Sequence, residues 1–326
     1  MIRRILTLAM TTCLIGLSVP AIAQSLSPVK VLLDWAWLPY HATFLVAQEN
    51  GYYKQAGLDV ELEQGRGSAT TALMLSQGGF NLAHLNITNA AQMISKGGAI
   101  KVVGIYQHKT AAAFIGIKGK VKLEGPQALK NIKIGSTPGG SDGLSLKVFT
   151  TANGMKLSDL NVVSLDANAK TAALFGGTID AVSGDSPAFN AYVRATNQEP
   201  ETLQLSDFGV PLIGFGFAAN NGYLTKHPDV VGKFLAATKK GFAEASRDSR
   251  AACELMQAKV HLAGTIERCI DYNRGVLALS NPPTDSAWGQ QSSEEWTKLL
   301  ATLKDAAELF GDKPLSTYYT NDFVPK

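Results

Sequence analysis

The sequence predicts an α/β fold made of two sheet-and-helix units, and three observations carry that expectation. Short β patterns alternate with amphipathic helices along most of the chain, the order that produces parallel sheets covered by helices. The length, 326 residues, suits two domains that each bury a core. With 45% hydrophobic and only 17% charged residues, the chain is neither disordered nor collagen-like.

The chain opens with Arg3 and Arg4, an apolar run from Ile5 to Val19, and Pro20 before Ala21-Ile22-Ala23. A basic pair, a short apolar stretch and a small-residue site read as a secretory leader cleaved after Ala23, too short to span a membrane. The formal charge of +3 then falls to +1, because both arginines leave with residues 1–23 and no acid does. A nearly neutral product gives no support for nucleic-acid or anionic-membrane partners. Cys13 leaves as well. Cys253 and Cys269 remain on consecutive predicted helices, 251–259 and 265–278, and either pair in an oxidising compartment or stay as two buried thiols.

Val29–Leu33 reads as the first strand and Ala42–Ala56 as a helix stopped by Gly57. Leu58, Val60 and Leu62 alternate with Asp59, Glu61 and Glu63, a half-buried strand. Ser68 caps a helix to Gln77, a short strand follows near Asn81–Leu85, Thr88–Lys96 is helical and Ile100–Tyr106 is a strand. A second run then begins: strands at Ala113–Ile117, Ile132–Ile134, Asn161–Leu165 and Ile179–Ser183, with helices at Asp142–Ala152, Ala169–Phe175 and Ser186–Arg194. After a strand at Ile213–Ala219 the pattern turns helical. Pro228 opens one helix, and Ser292 with Glu295 forms a capping box for another. The C-terminal helices have no sheet of their own to cover. The expected division is therefore discontinuous, with one lobe from 24–107 plus 207–326 and the other from 108–206.

In open α/β sheets ligands sit beyond the carboxyl ends of the strands. The residues placed there are Trp35, Trp37, Tyr40 and His41; Gly67 and Ser68; Asn86 and Thr88; Tyr106; Ser136, Thr137, Gly139, Gly140 and Ser141; and Asp185. Rings at a strand end stack on a planar ligand or form an apolar wall. The Ser136–Ser141 turn leads into a helix start, where free N–H groups and the helix dipole favour an anionic or carbonyl oxygen. Each loop taken alone also reads as an ordinary cap or turn, so the site reading depends on their convergence.

Three stretches resemble exported solute-binding proteins of ABC importers, in the branch with sulfonate, taurine, nitrate and thiamine-pyrimidine (NMT1/THI5-like) binders. They are Val31-Leu32-Leu33-Asp34-Trp35 with Pro39, Tyr40 and His41; the segment from Leu45 through Gly51-Tyr52-Tyr53 to Val60; and Gly65 to Ser68. The resemblance implies a periplasmic binding protein, type II-like: two Rossmann-like lobes hinged by two crossover strands, with the cleft between them. It further implies a small-molecule solute, a permease of the inner membrane as partner, a monomer, and neither metal nor cofactor.

Two enzyme motifs compete. Gly139, Ser141 and Gly143 match G-x-S-x-G, so a secreted serine hydrolase acting through Ser141 is the alternative, although the turn from Gly135 to Gly140 is slack for a nucleophile elbow. Gly135 and Gly140 imitate a P-loop opening, but Ser141-Asp142 replaces the Lys-Ser/Thr that would hold phosphate and magnesium.

Overall fold

The computed structural model describes residues 25–137, 141–280 and 287–325, without the side chains of Ala167 and Asn168. The expected leader 1–23 with its Cys13, and Gly139 and Gly140 of the proposed binding turn, lie outside the described residues.

Among the described residues, ten strands form two five-stranded sheets. They are β1 Ser27–Leu32, β2 Leu58–Glu63, β3 Leu82–Asn86, β4 Ile100–Ile105, β5 Ala112–Ile117, β6 Lys133–Ser136, β7 Asn161–Ser164, β8 Ala181–Asp185, β9 Pro200–Gln204 and β10 Phe215–Asn220. The first sheet has the order β2-β1-β3-β10-β4 and the second β7-β6-β8-β5-β9. Within each, one strand runs against its neighbours: β10 is antiparallel to β3 and β4, and β5 to β8 and β9. The register explains why. The chain passes from β4 to β5 and returns from β9 to β10, and each strand so delivered starts where a parallel strand ends: Ala112 lies opposite Asp185, and Phe215 opposite Asn86. Both links therefore run past the carboxyl ends of the strands, the edge where ligands bind in this class of sheet.

Alternation in Leu58, Val60 and Leu62 gives β2 as expected, with Leu58 and Val60 buried and Asp59 and Glu61 exposed. The helix expected over Ala42–Ala56 is two, Ala42–Glu49 and Tyr52–Gln55, broken at Gly51, whose φ of +70° is left-handed. Ser68 does not cap its helix. Gly67 occupies that position, and the Ser68 hydroxyl instead accepts the backbone N–H of Asn86 at 3.0 Å. The edge strand β9 was not foreseen, since it begins at a proline and lacks alternation, both tolerable at an edge. The Ser292–Glu295 capping box is present.

The C-terminal helices cover more than one surface. Pro228–Arg247 packs on Ala42–Glu49 beside the first sheet, placing Val231, Phe234, Leu235, Thr238 and Phe242 inward. Ser249–Val260 packs on the same helix, and Cys253 is bonded to Cys269 of Ile266–Ala278. Ile266–Ala278 then crosses to helix Ser186–Arg194 of the second sheet, where Arg194 pairs with Asp271 at 3.2 Å. Among the described residues no helix is long and apolar enough to cross a membrane.

Candidate functional site

A cavity of about 420 Å³ lies where the strand ends of the two sheets face each other. From the first sheet come Asp34, Trp35, Tyr40, Gly67, Ser68 and Asn86; from the second, Thr137, Ser141, Asp142, Lys170 and Asp185. The link after β4 adds Gln107 and Thr110, the start of β10 adds Phe215, and helix Ile266–Ala278 adds Arg268 and Tyr272. Rings border it on both sides: Trp35, Tyr40 and Phe215 on one, Phe189 and Tyr192 on the other, Tyr272 from the crossing helix. Gly67 takes φ +116°, and a Cβ there would press on the Trp35 ring at 3.3 Å, so glycine lets the loop pass beneath that ring.

Of the residues singled out in the sequence, Trp35, Tyr40, Gly67, Ser68, Asn86, Thr137, Ser141 and Asp185 are on the wall. Trp37, His41, Thr88, Tyr106 and Ser136 are not. Trp37 packs into the core behind the loop, edge-on to His41. Thr88 is buried and donates its hydroxyl to Ile213 O at 2.9 Å, and Ser136 is buried one residue short of the cavity. His41 and Tyr106 belong to a second layer.

That layer is a buried polar network behind the Tyr40 ring. Asp34 Oδ1 accepts His41 Nε2 at 2.8 Å and His84 Nδ1 at 2.9 Å, and Oδ2 accepts the Tyr40 hydroxyl at 2.7 Å. His41 Nδ1 accepts the Leu38 N–H at 3.1 Å, which fixes its proton on Nε2; the Tyr106 hydroxyl bonds His84 Nε2 at 2.7 Å. Burial would raise the Asp34 carboxyl, but the hydrogen bonds from His41 and His84 overcome it and hold the group below the usual carboxylate range. Burial lowers His41, against the pull of Asp34. Burial, with Asp34 nearby, raises both Tyr40 and Tyr106, which stay phenols. The ligating atoms of Asp34, His41 and His84 lie within 4.8 Å of one another, a spacing open to a cation. A metal would have to expel both imidazole protons from bonds of ordinary hydrogen-bond length, so the set is better satisfied as it stands. His84 was missed in the sequence, although a histidine within the apolar strand Leu82–Asn86 was a visible signal.

The turn before helix Ser141–Ala152 is expected to receive an anionic or carbonyl oxygen. In its described part the protein supplies one itself: Asp142 accepts the Thr137 N–H at 2.8 Å and Lys170 Nζ at 2.9 Å. Lys170, 5% exposed, also donates to Ser183 O at 3.1 Å. Its charge is thereby committed, and a captured anion would compete with Asp142. Asp185 caps helix Ser186–Arg194 by accepting Ala188 N–H at 3.0 Å. Burial pushes its carboxyl up to about 7, despite that bond, and the Asp34 charge adds to the rise. Among the described residues, two polar atoms at this cavity have no hydrogen-bond partner, Gln107 Nε2 and Thr137 Oγ1. Ser141 lacks the histidine a nucleophile elbow needs: among the described residues the wall holds none, and His41, His84 and His108 bond acids elsewhere.

Comparison with known proteins agrees with this architecture. A synthase of 4-amino-5-hydroxymethyl-2-methylpyrimidine phosphate from Uromyces fabae is 23% identical over 92% of this chain and 89% of its own. The riboflavin-binding protein RibY of Chloroflexus aurantiacus is 24% identical over 94% and 91% respectively. The solved periplasmic aliphatic sulphonate binding protein SsuA of Escherichia coli superposes with a TM-score of 0.69, covering 85% of this chain and 91% of that one at 14% identity. The family described as NMT1/THI5 like matches residues 38–252, two thirds of the sequence. With that match the chain belongs to the NMT1/THI5-like family, and its structural neighbours include periplasmic binding proteins of ABC transporters.

Proposed function

We propose that this protein is the exported solute-binding component of an ABC importer, taking a small planar organic solute with a carbonyl-type acceptor into the cavity between its sheets and handing it to a membrane permease. One observation carries the reading: rings from both sheets and from a crossing helix border a single cavity of about 420 Å³, within the range of small-molecule sites. Contacts supplied from both sides favour a closed arrangement over an open one, and differential affinity of that kind is all a capture-and-release cycle requires. Residues 24–107 with 207–326 and residues 108–206 are the two bodies we expect to move, in a monomer, about the links after β4 and β9.

The relatives named as synthases favour a second, catalytic reading, for which Lys170 is an amine on the wall. Its engagement with Asp142 and Ser183 O weighs against it. Native mass spectrometry of the mature protein as purified, followed by denaturation and analysis of the released molecule, separates the two. Capture predicts a stoichiometric planar solute recovered chemically unchanged after incubation. Conversion of that molecule, or labelling of Ser141 by a fluorophosphonate, would replace capture with catalysis.

A further inference from the structure

We propose that Gln107 is a solute-binding residue, its side-chain amide donating to an uncharged ring acceptor, a ring carbonyl or ring nitrogen, of the captured molecule. The inference rests on the capture of a planar solute and names how its ring is read.

Gln107 lies in the link between β4 and β5 and is fully buried, yet it is part of the cavity wall. It ties the two links together: its N–H donates to Phe215 O at 3.1 Å, its carbonyl accepts Gly214 N at 3.0 Å, and its Oε1 accepts Phe215 N at 3.2 Å. The last bond fixes the amide orientation, because the reversed amide would set an NH2 against an N–H. Nε2 is thus the end left without a partner among the described residues. Gly214 makes the arrangement possible, since a Cβ there would stand 2.2 Å from Oε1. A buried donor held in one orientation and left unpaired at a cavity is a site prepared for an acceptor.

The surroundings narrow that acceptor. Asp34 and Asp185 share the wall, and of its two cations Lys170 is engaged by Asp142 and Arg268 lies over the Tyr192 ring, so a sulfonate or carboxylate oxygen at Gln107 would have only a neutral N–H as its immediate donor. A neutral ring acceptor needs no more than that donor. Asp185, apart from its bond to Ala188, has oxygen left to accept a donor from the same ring. Heteroaromatic rings that carry both an acceptor and a donor, as lactams and amino-azines do, can use both residues of this wall.

The test is titration calorimetry with cytosine, uracil and nicotinamide, against aniline and benzenesulfonate, on wild type and Gln107→Glu. Glutamate keeps an oxygen for Phe215 N–H and loses the donor. We expect at least one of the first three probes to bind wild type and to lose about tenfold or more in affinity in the variant. Should the variant fail to fold, wild-type crystals soaked in the bound probe give the answer: a ring acceptor within about 3.2 Å of Nε2 supports the assignment. Unchanged affinity in Gln107→Glu, or a ring turned away from Nε2, overturns the role of Gln107 while capture stands. Binding by aniline or benzenesulfonate alone overturns the ring-acceptor class, and silence from all five probes overturns planar capture with it.

Discussion

The Tyr40 hydroxyl donates to Asp34 Oδ2 at 2.7 Å, so a ring on the cavity wall is anchored by a buried carboxylate behind it. The same carboxylate takes His41 and His84, and Tyr40 stacks on Phe215 with centroids 5.2 Å apart. Cavity shape therefore depends on His41 and His84, which are not on the wall. Asp34→Ala strips three buried donors of their acceptor and should cost about 3–5 kcal/mol in urea denaturation. Tyr40→Phe keeps the ring and should cost about 1–3 kcal/mol. A loss below 1 kcal/mol for Asp34→Ala would show that the network does not support the fold.

Trp35 and Trp37 are two residues apart and face different surroundings, the first the cavity and the second the core. Trp35→Ala should weaken solute binding about tenfold or more with little change in melting temperature. Trp37→Ala should cost about 3–5 kcal/mol, reduced in proportion to its partial exposure, and leave the dissociation constant near wild type. Calorimetry beside thermal melts would reveal the reverse pattern, which would place the wrong tryptophan at the solute.

Asp185 makes stability depend on pH in a direction that can be worked out. Its folded-state value of about 7 lies above that of an unfolded aspartate near 4, so between those values the folded chain holds a proton that the unfolded chain releases. Its contribution to stability is intact in acid, declines as pH rises from about 4 to about 7, and is flat above. Asn serves as a helix cap, so Asp185→Asn should fold and should lose that decline. The melting-temperature difference between variant and wild type should grow from pH 4.5 to pH 7.5. A constant difference would show that the carboxyl titrates normally.

The Cys253–Cys269 bond ties helix Ile266–Ala278, the source of Arg268 and Tyr272 on the wall, to a helix packed against Ala42–Glu49. With 16 residues of separation, the double serine variant should lose about 3 kcal/mol by chain entropy. Because Arg268 adjoins Cys269 and lies over the Tyr192 ring at 5.0 Å, solute affinity should also fall. Equal affinity in the variant would mean that packing alone positions this helix.

Local patterning made much of the fold legible. The alternation at Leu58–Leu62, the cap at Ser292 and the loops that follow strands all needed only short stretches of chain to interpret, and those loops led to Trp35, Asn86, Thr137 and Asp185. Long-range placement was not legible. Insertion of β10 against its neighbours between β3 and β4 depends on where the return link runs. Lys170 sits in a helical pattern that gives no hint of burial, and its partner Asp142 is 28 positions away. Gln107 follows a strand and Tyr272 lies within a helix, and neither position is marked in the sequence as facing a ligand. What distinguishes them is which sheet edge they meet.

The most direct measurement is a crystal structure of the mature protein with the solute it carries when purified. The expected result is a planar molecule in the cavity, contacting Trp35 or Tyr40 from the first sheet and Phe189 or Tyr192 from the second. A solute bound elsewhere, such as the surface groove beside Arg247, Arg250 and Arg274, with this cavity closed by side chains, would contradict it.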